Sequence, residues 1–172
     1  MSIEIVPVAS VMIRDVKTAK ENQSIKVIAK TMVDNGIGSV VIVGSDEENR
    51  PAGIVTERDL VKYMAAGTSN HNKDSVTARE IMSKPVITIE PQSSLKDAMQ
   101  TMQLKDIRRL PVMQRDRLVG IITDKDIFRA IVKSQTLVSS FLSERLVVEY
   151  RPMYEKLGEF MQSEILFPDK NQ

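Results

Sequence analysis

Residues 120–127 read GIITDKDI, and a near copy of this segment, GIVTERDL, occupies residues 53–60. Each segment opens with glycine and β-branched residues, which favour an extended strand, and then places Thr and, three positions later, Asp. Both of these residue types accept hydrogen bonds from the unpaired N–H groups at a helix N-terminus. Each segment therefore predicts a strand that leads directly into a helix.

The two segments belong to a longer internal repeat. Residues 11–43 align with residues 81–113 at a constant offset of 70, and the offset becomes 67 beyond the turns at 45–50 and 114–117. A change of length confined to a polar turn is what a hairpin loop tolerates. Such a repeat predicts two copies that share one core. The identical pairs before the turn are Met12/Met82, Val16/Val86, Thr18/Thr88, Ser24/Ser94, Lys26/Lys96, Thr31/Thr101, Met32/Met102 and Ile37/Ile107.

Apolar periodicity predicts the order β-α-β-β-α in each copy, after a short helical lead-in at 9–13 or 77–82. The predicted first strands are 15–19 and 86–89, and Ser24 and Ser94 open the helices that follow. A hairpin then joins strand 39–43 or 110–113 to the strand of the GIVT or GIIT segment. The last helices are predicted over 59–66 and 126–132, and the polar stretch at 67–74 reads as a linker.

Composition excludes several classes of protein. The chain has 172 residues, 27% of them charged, and a net charge of +1, which is typical of a globular protein without a nucleic-acid partner. It has no Cys and one His, so neither a Cys/His zinc site nor a Cys/His catalytic pair can form. The sequence shows neither a membrane-length apolar run nor a signal-peptide pattern, so we expect a cytoplasmic protein without membrane contact.

The doubled unit, the Ile-Arg-Arg-Leu-Pro-Val segment at 107–112 and the two G-h-h-T-x-x-D signatures (h, apolar) resemble a tandem pair of CBS domains, the cystathionine β-synthase domain family. The resemblance implies an α+β fold in which two β-α-β-β-α repeats pack as a pseudo-two-fold disc, called a Bateman module. It places repeat 1 at 6–67, a linker at 68–75 and repeat 2 at 76–134. A C-terminal helical extension at 135–172, predicted from its apolar pattern, lies outside the resemblance. The resemblance also implies adenosine-containing ligands, such as AMP, ADP, ATP or S-adenosylmethionine, between the repeats.

In this family a site combines the early strands of one repeat with the Thr/Asp pair of the other. Carried over to this chain, the first cleft comprises Val16, Lys17, Ile37, Gly38 and Ser39 with Thr123 and Asp126. The second cleft comprises Val86, Ile87, Ile107, Arg108, Arg109 and Pro111 with Thr56 and Asp59. Arg58 and Lys125, within the two signatures, complete the predicted ligand-binding set.

The chemistry of these residues agrees with such a ligand. A carboxylate accepts hydrogen bonds from both ribose hydroxyls, and the guanidinium groups of Arg108 and Arg109 suit phosphate oxygens. Two simpler interpretations remain open at this point. The Thr and Asp side chains can be helix caps alone, and the two arginines can be ordinary surface charges.

The function that the resemblance implies is a regulatory module that binds an adenosine-containing ligand. We predict that the module is non-catalytic, because no nucleophile–base pair or metal-ligand cluster is evident in the sequence. The alternatives are a ligand-independent scaffold and, more distantly, a nucleotide-hydrolysing enzyme. The resemblance implies a homodimer, and an unidentified protein partner would receive the signal. Residues 137–172 hold five of the seven aromatic residues and are predicted to form helices that serve either as a cap or as a partner surface.

Overall fold

A computed structural model describes residues 3–44, 50–66 and 76–134. The predicted linker at 68–75 and the predicted helices within 135–172 lie outside these residues. The described part of the chain is a mixture of short strands and helices, which confirms the α+β class. Its elements are β1 Thr18–Lys20, α1 Ile25–Asn35, β2 Ser39–Val43, β3 Pro51–Thr56, α2 Glu57–Ala65, α3 Ala78–Ile81, α4 Leu95–Leu104, β4 Arg109–Gln114, β5 Arg117–Thr123 and α5 Asp124–Lys133, with a 3-10 helix at Val8–Ser10.

These elements belong to two compact units. Unit 1 comprises Met1–Met12, Glu90–Leu110 and Ile122–Gln172, and unit 2 comprises Ile13–Ile89 and Pro111–Ile121. Each unit therefore takes residues from both sequence repeats. The repeat boundaries and the packing of the repeats as a disc stay predictions.

Unit 2 is built on the three-stranded sheet β1-β2-β3. Strand β1 runs parallel to β2 with Thr18 opposite Val41, and β2 runs antiparallel to β3 with Ser39 opposite Thr56. Helix α1 covers the sheet because Ile28 and Met32, four residues apart, lie on one face of the helix and are both buried. The core cluster of this unit is Ala19, Ile28, Met32, Val40, Ile42, Val55, Ala78 and Met82.

The first helices of the two repeats begin as predicted. Ser24 accepts a hydrogen bond from the Val27 amide, and Ser94 accepts one from the Asp97 amide. They end differently, because α1 is closed by Gly36 at φ 60°, whereas the equivalent position after α4 is Asp106 at φ 49°. In unit 1 the buried face of α4 is Leu95, Ala98, Met99 and Met102, and that of α5 is Asp126, Ile127, Phe128 and Ile131.

The predicted first strands are only partly correct. Strand β1 begins at Thr18 rather than at residue 15, and residues 86–89 form no strand, only an isolated parallel bridge from Ile89 to Val112. Ile89 exchanges backbone hydrogen bonds with Pro111 and Met113. The ladder cannot extend from this bridge, because Pro91 and Pro111 occupy the next donor positions and lack an N–H group.

The last helix of each repeat begins two residues earlier than predicted. Helix α2 starts at Glu57 and α5 at Asp124, because Thr56 and Thr123 are the N-cap residues and Asp59 and Asp126 stand at the third helical position. The lead-in segments form α3 in the second repeat and the short 3-10 helix in the first. None of the helices that the structure describes combines the length and apolar character that crossing a bilayer requires.

Candidate functional site

The Thr and Asp of each signature form a capping box. The Thr56 hydroxyl accepts from the Asp59 amide at 3.3 Å and donates to Asp59 Oδ2 at 2.6 Å, and the Thr56 amide donates to the same oxygen at 2.8 Å. The second signature repeats these bonds, with Thr123 Oγ1 to Asp126 Oδ2 at 2.5 Å and Thr123 N to Asp126 Oδ2 at 3.0 Å. The capping interpretation left open by the sequence is therefore correct for one carboxylate oxygen in each signature.

The other carboxylate oxygen, Oδ1, is not used by the cap. Asp59 Oδ1 accepts a hydrogen bond from Ser83 Oγ at 3.3 Å. Asp126 Oδ1 lies 3.7 Å from Arg129 Nη1, a separation longer than a hydrogen bond. Asp126 is 8% exposed, and it is the only charged residue in the buried set of the described chain. Each signature thus keeps one carboxylate oxygen for an additional donor.

Capping boxes by themselves do not mark a site. Ser94 with Asp97 and Thr77 with Glu80 form the same box at the start of α4 and α3, outside the signatures. What sets the signatures apart is their position at the end of a partly buried strand and beside the start of a second strand. These two extra helices offer natural controls for the capping role.

In each repeat the structure places the start of the strand that follows the first helix, β2 or β4, beside the signature of the same repeat. The Glu57 amide donates to the Gly38 carbonyl at 3.2 Å, and the Asp124 amide donates to the Arg108 carbonyl at 3.0 Å. Thr56 is accordingly close to Ile37, Gly38 and Ser39, and Thr123 is close to Ile107 and Arg108. Since the same bond occurs in both repeats, the internal repeat of the sequence is also a repeat of the backbone.

Other predicted residues occupy varied environments. Val16, Lys17, Val86, Ile87 and Arg109 are partly buried, Pro111 is buried, and Arg58, Arg108 and Lys125 are exposed. Lys17 Nζ pairs with Asp15 Oδ2 at 2.8 Å, and the Lys17 carbonyl accepts from the Val41 amide. Val16 lines a cleft of about 860 Å³ in unit 2. The grouping of Val16, Lys17, Ile37, Gly38 and Ser39 with Thr123 and Asp126 stays a prediction.

Ser83 is a site residue that the sequence analysis missed. Within unit 2 the segment that leads into the second repeat pairs with β3, since Ser83 N donates to the Ile54 carbonyl at 2.9 Å and Ile54 N donates to the Ser83 carbonyl at 3.2 Å. This bridge carries the Ser83 hydroxyl to Asp59. The equivalent segment of the first repeat pairs in the same way, through Ile13 with Ile121. The repeat aligns Ile13 with Ser83, and this alignment is the only feature of the sequence analysis that relates Ser83 to a signature strand.

A resident metal would need acidic, His or Cys side chains gathered at one point. Within residues 3–44, 50–66 and 76–134, no group of three such residues could hold a metal ion. The groups that the structure does bring together in each repeat are a carboxylate oxygen, a helix cap and an apolar strand start.

A family model described as the CBS domain matches residues 8–66 and 78–133. A solved CBS domain pair, in complex with 5′-methylthioadenosine and S-adenosyl-L-methionine, is 32% identical with a TM-score of 0.66, covering 75% of this chain and 98% of that chain. A protein with CBS domains from Burkholderia ambifaria is 29% identical with a TM-score of 0.63, covering 71% of this chain and 86% of that chain.

Two archaeal relatives are uncharacterized proteins. That of Methanopyrus kandleri is 45% identical over 126 residues, which are 72% of this chain and 62% of that protein. That of Methanocaldococcus jannaschii is 35% identical over 162 residues, which are 87% of this chain and 38% of that protein. The matched part of the chain thus spans less than two thirds of the length of each of these two relatives.

Proposed function

Because the chain belongs to the CBS domain family, we propose that it is a non-catalytic regulatory module that binds an adenosine-containing ligand through its Thr–Asp signatures. The observation that carries the proposal is that the cap uses only one of the two oxygens of each signature carboxylate. One oxygen is held by the cap. The other has only a 3.3 Å hydrogen bond from Ser83 in Asp59 and a 3.7 Å contact with Arg129 in Asp126, beside an apolar strand start.

The ribose of an adenosine ligand supplies the matching donors. Its two neighbouring hydroxyl groups donate hydrogen bonds, and Oδ1 of Asp59 or Asp126 accepts them without losing the cap. Ile37 and Ile107, at the strand starts, offer apolar surface to the purine ring, and small-molecule sites generally combine such surface with few polar groups. The solved CBS domain pair with 5′-methylthioadenosine and S-adenosyl-L-methionine supports this class of ligand.

The remaining predicted residues complete two unequal sites in this proposal. Arg108 and Arg109 stand where the first repeat has Gly38 and Ser39, so phosphate groups of AMP, ADP or ATP would gather on the side of the second repeat. A ligand without phosphates, such as S-adenosylmethionine, would depend more on the carboxylates. The ligand would favour one arrangement of the repeats over another and so signal to a protein partner.

We also propose that the chain forms a homodimer through its helices. In unit 2 the exposed fractions of Val27 and Val33 on α1 are 46% and 80%, and those of Val61 and Met64 on α2 are 57% and 69%. Apolar side chains this exposed on two helices of one unit favour a protein contact. In this proposal the exposed faces of α1 and α2 contact a second copy of this chain.

The decisive experiment is calorimetric titration of the full chain with S-adenosylmethionine, AMP and ATP, with GMP as the control ligand. Asp126→Asn and Asp59→Asn are the test variants, because Asn keeps a capping oxygen but places an NH₂ group where the ribose needs an acceptor. We expect at least one of them to weaken adenosine-ligand binding about tenfold or more. Asp97→Asn alters the same box in α4 and should leave binding unchanged.

Two results would contradict this function. Absence of binding by every adenosine ligand would favour the scaffold alternative, in which the domain pair only dimerises or holds a partner. Equal weakening by Asp97→Asn and Asp126→Asn would show that the signatures act through helix stability alone.

A further inference from the structure

In the second signature a buried carboxylate faces a half-exposed guanidinium group. Asp126 is 8% exposed, and its Oδ2 accepts hydrogen bonds from the amide and the hydroxyl of Thr123. Asp126 Oδ1 lies 3.7 Å from Arg129 Nη1, and the side chain of Arg129 is 50% exposed. A buried carboxylate without an opposite charge is costly in free energy, and the guanidinium group reduces that cost. Arg129 thus brings a positive charge to the one carboxylate oxygen that the cap leaves unused.

The guanidinium group of Arg129 has donors to spare. Within the residues that the structure describes, Arg129 contacts no carboxylate other than that of Asp126. A guanidinium group has five N–H donors, and the contact with Asp126 involves one nitrogen at a separation too long for a hydrogen bond. Residues three apart on a helix are neighbours on one face, so α5 alone holds this pair together. The exposed part of the group is therefore available to an anion that approaches Asp126.

The first repeat has a lysine at the corresponding position but lacks the contact. Lys62 follows Asp59 by three positions on α2, and its side chain is exposed. In the described part of the chain no ion pair joins these two residues, and Asp59 Oδ1 accepts from the Ser83 hydroxyl instead. Within the first two turns of α2 and α5, the Arg129 contact is therefore the electrostatic difference. The other charges in these turns are one acidic and one basic residue on each helix, Glu57 with Arg58 and Asp124 with Lys125.

Adenosine ligands differ from one another in the charge that they carry at the 5′ carbon. A phosphate group there brings nearly two negative charges, whereas S-adenosylmethionine has a sulfonium cation. The 5′ carbon belongs to the same ribose whose hydroxyl groups Asp126 Oδ1 would accept. Its substituent therefore lies within about one screening length, roughly 8 Å at physiological ionic strength, of the Asp126–Arg129 pair. At that range the guanidinium group attracts an anionic substituent and repels a cationic one, even without direct contact.

We propose that Arg129 is a specificity-determining residue, through which the Asp126 signature prefers an adenosine ligand with a negatively charged 5′ substituent over one with a sulfonium cation. The proposal rests on the proposed function, because it requires that the signature binds the ribose. Arginine suits this role, since its planar group can face the carboxylate with one nitrogen and phosphate oxygens with the others. Without Arg129, the buried carboxylate would keep its negative charge and would favour the cation.

The test is calorimetric titration of the full chain with AMP, S-adenosylmethionine and S-adenosylhomocysteine. The last two ligands differ by the methyl group that gives the sulfur its positive charge. Each substitution is made in the Asp59→Asn chain, so that the titration reports on Asp126. We expect Arg129→Gln to weaken AMP binding and to strengthen S-adenosylmethionine binding relative to S-adenosylhomocysteine, so that the ratio of AMP to S-adenosylmethionine affinity falls about tenfold.

Two matched variants separate the charge of Arg129 from other effects. Arg129→Lys keeps the positive charge and should change the affinity ratio less than about threefold. Lys62→Gln removes an equal charge at the corresponding position of the first repeat and should change the ratio less than about twofold, because that charge is exposed and has no contact with a signature carboxylate.

The outcomes distinguish this proposal from the proposed function on which it rests. An unchanged affinity ratio in Arg129→Gln would overturn the role of Arg129, and equal weakening of all three ligands would show that Arg129 acts through helix stability alone. If the natural chain binds an adenosine ligand and Asp59→Asn abolishes that binding, the ligand belongs to the other signature, and only the role of Arg129 is overturned. If no adenosine ligand binds the natural chain, both proposals are overturned.

Discussion

Gly53, the first residue of the first signature, lies against Met82 in unit 2. A Cβ atom added at position 53 would lie 2.3 Å from Met82 Sδ, 2.6 Å from Cγ and 2.9 Å from Cβ. Carbon atoms in contact normally stand about 3.5–4.0 Å apart. The glycine is thus explained by the close approach of the segment that pairs with β3 through Ser83 and Ile54.

The cost of Gly53→Ala follows from which of these atoms can move. The sulfur and Cγ of Met82 can rotate away, but its Cβ is fixed by the backbone, so β3 and the Ser83 segment must separate by about half an ångström. That movement strains the two Ser83–Ile54 hydrogen bonds and disturbs a buried methionine. Overpacking of this kind costs about 1–3 kcal/mol, and we expect a value in the upper half of that range.

Equilibrium urea denaturation of four proteins measures this cost: natural chain, Gly53→Ala, Met82→Ala and the double variant. Met82→Ala alone should lose about 2–5 kcal/mol, because it leaves a cavity in the core. The double variant should be more stable than the sum of the two losses by about 1 kcal/mol or more, since the new methyl group partly fills that cavity. The steric explanation would be refuted if Gly53→Ala had the same free energy of unfolding as the natural chain. It would also be refuted if the loss in the double variant equalled the sum of the two single losses.

Two further predictions concern the strained residue after α4 and the proposed dimer contact. Asp106→Gly should raise the free energy of unfolding by about 0.5–1 kcal/mol in urea denaturation, because Asp106 holds φ 49° where the first repeat has Gly36, and a loss of stability would contradict this strain. Val61→Asp combined with Met64→Asp should convert the proposed dimer into folded monomers in sedimentation velocity, since both side chains are exposed and the core of the unit does not need them. A natural chain that sediments as a monomer would rule out the dimer.

Local signals in the sequence predicted most of the scaffold. Ser24 and Ser94 begin helices as predicted, because capping depends on neighbouring residues alone. The helices after Thr56 and Thr123 were also predicted, but with starts two residues too late. The repeat located the paired hairpins, since the length change was confined to their turns. The CBS domain resemblance, carried by the two signatures and the Leu-Pro-Val segment, is confirmed by the family match.

What the sequence could not predict depends on contacts between distant residues. The predicted first strand of the second repeat does not form beyond the bridge between Ile89 and Val112. The next hydrogen bonds on either side of this bridge would need N–H groups at positions 91 and 111, and both positions, 20 apart in the sequence, are proline. Ser83 reaches Asp59 only through a bridge to β3.

The two signatures share their sequence pattern and their capping geometry, yet the structure makes them chemically unequal. Asp59 is partly exposed, and its Oδ1 already accepts from the Ser83 hydroxyl. Asp126 is 8% exposed, and its Oδ1 has only the longer contact with Arg129. A buried carboxylate oxygen without a full hydrogen bond gains more from a new donor than an oxygen that must exchange one. If the chain binds one adenosine ligand more tightly than a second, Asp126 should therefore hold the tighter one.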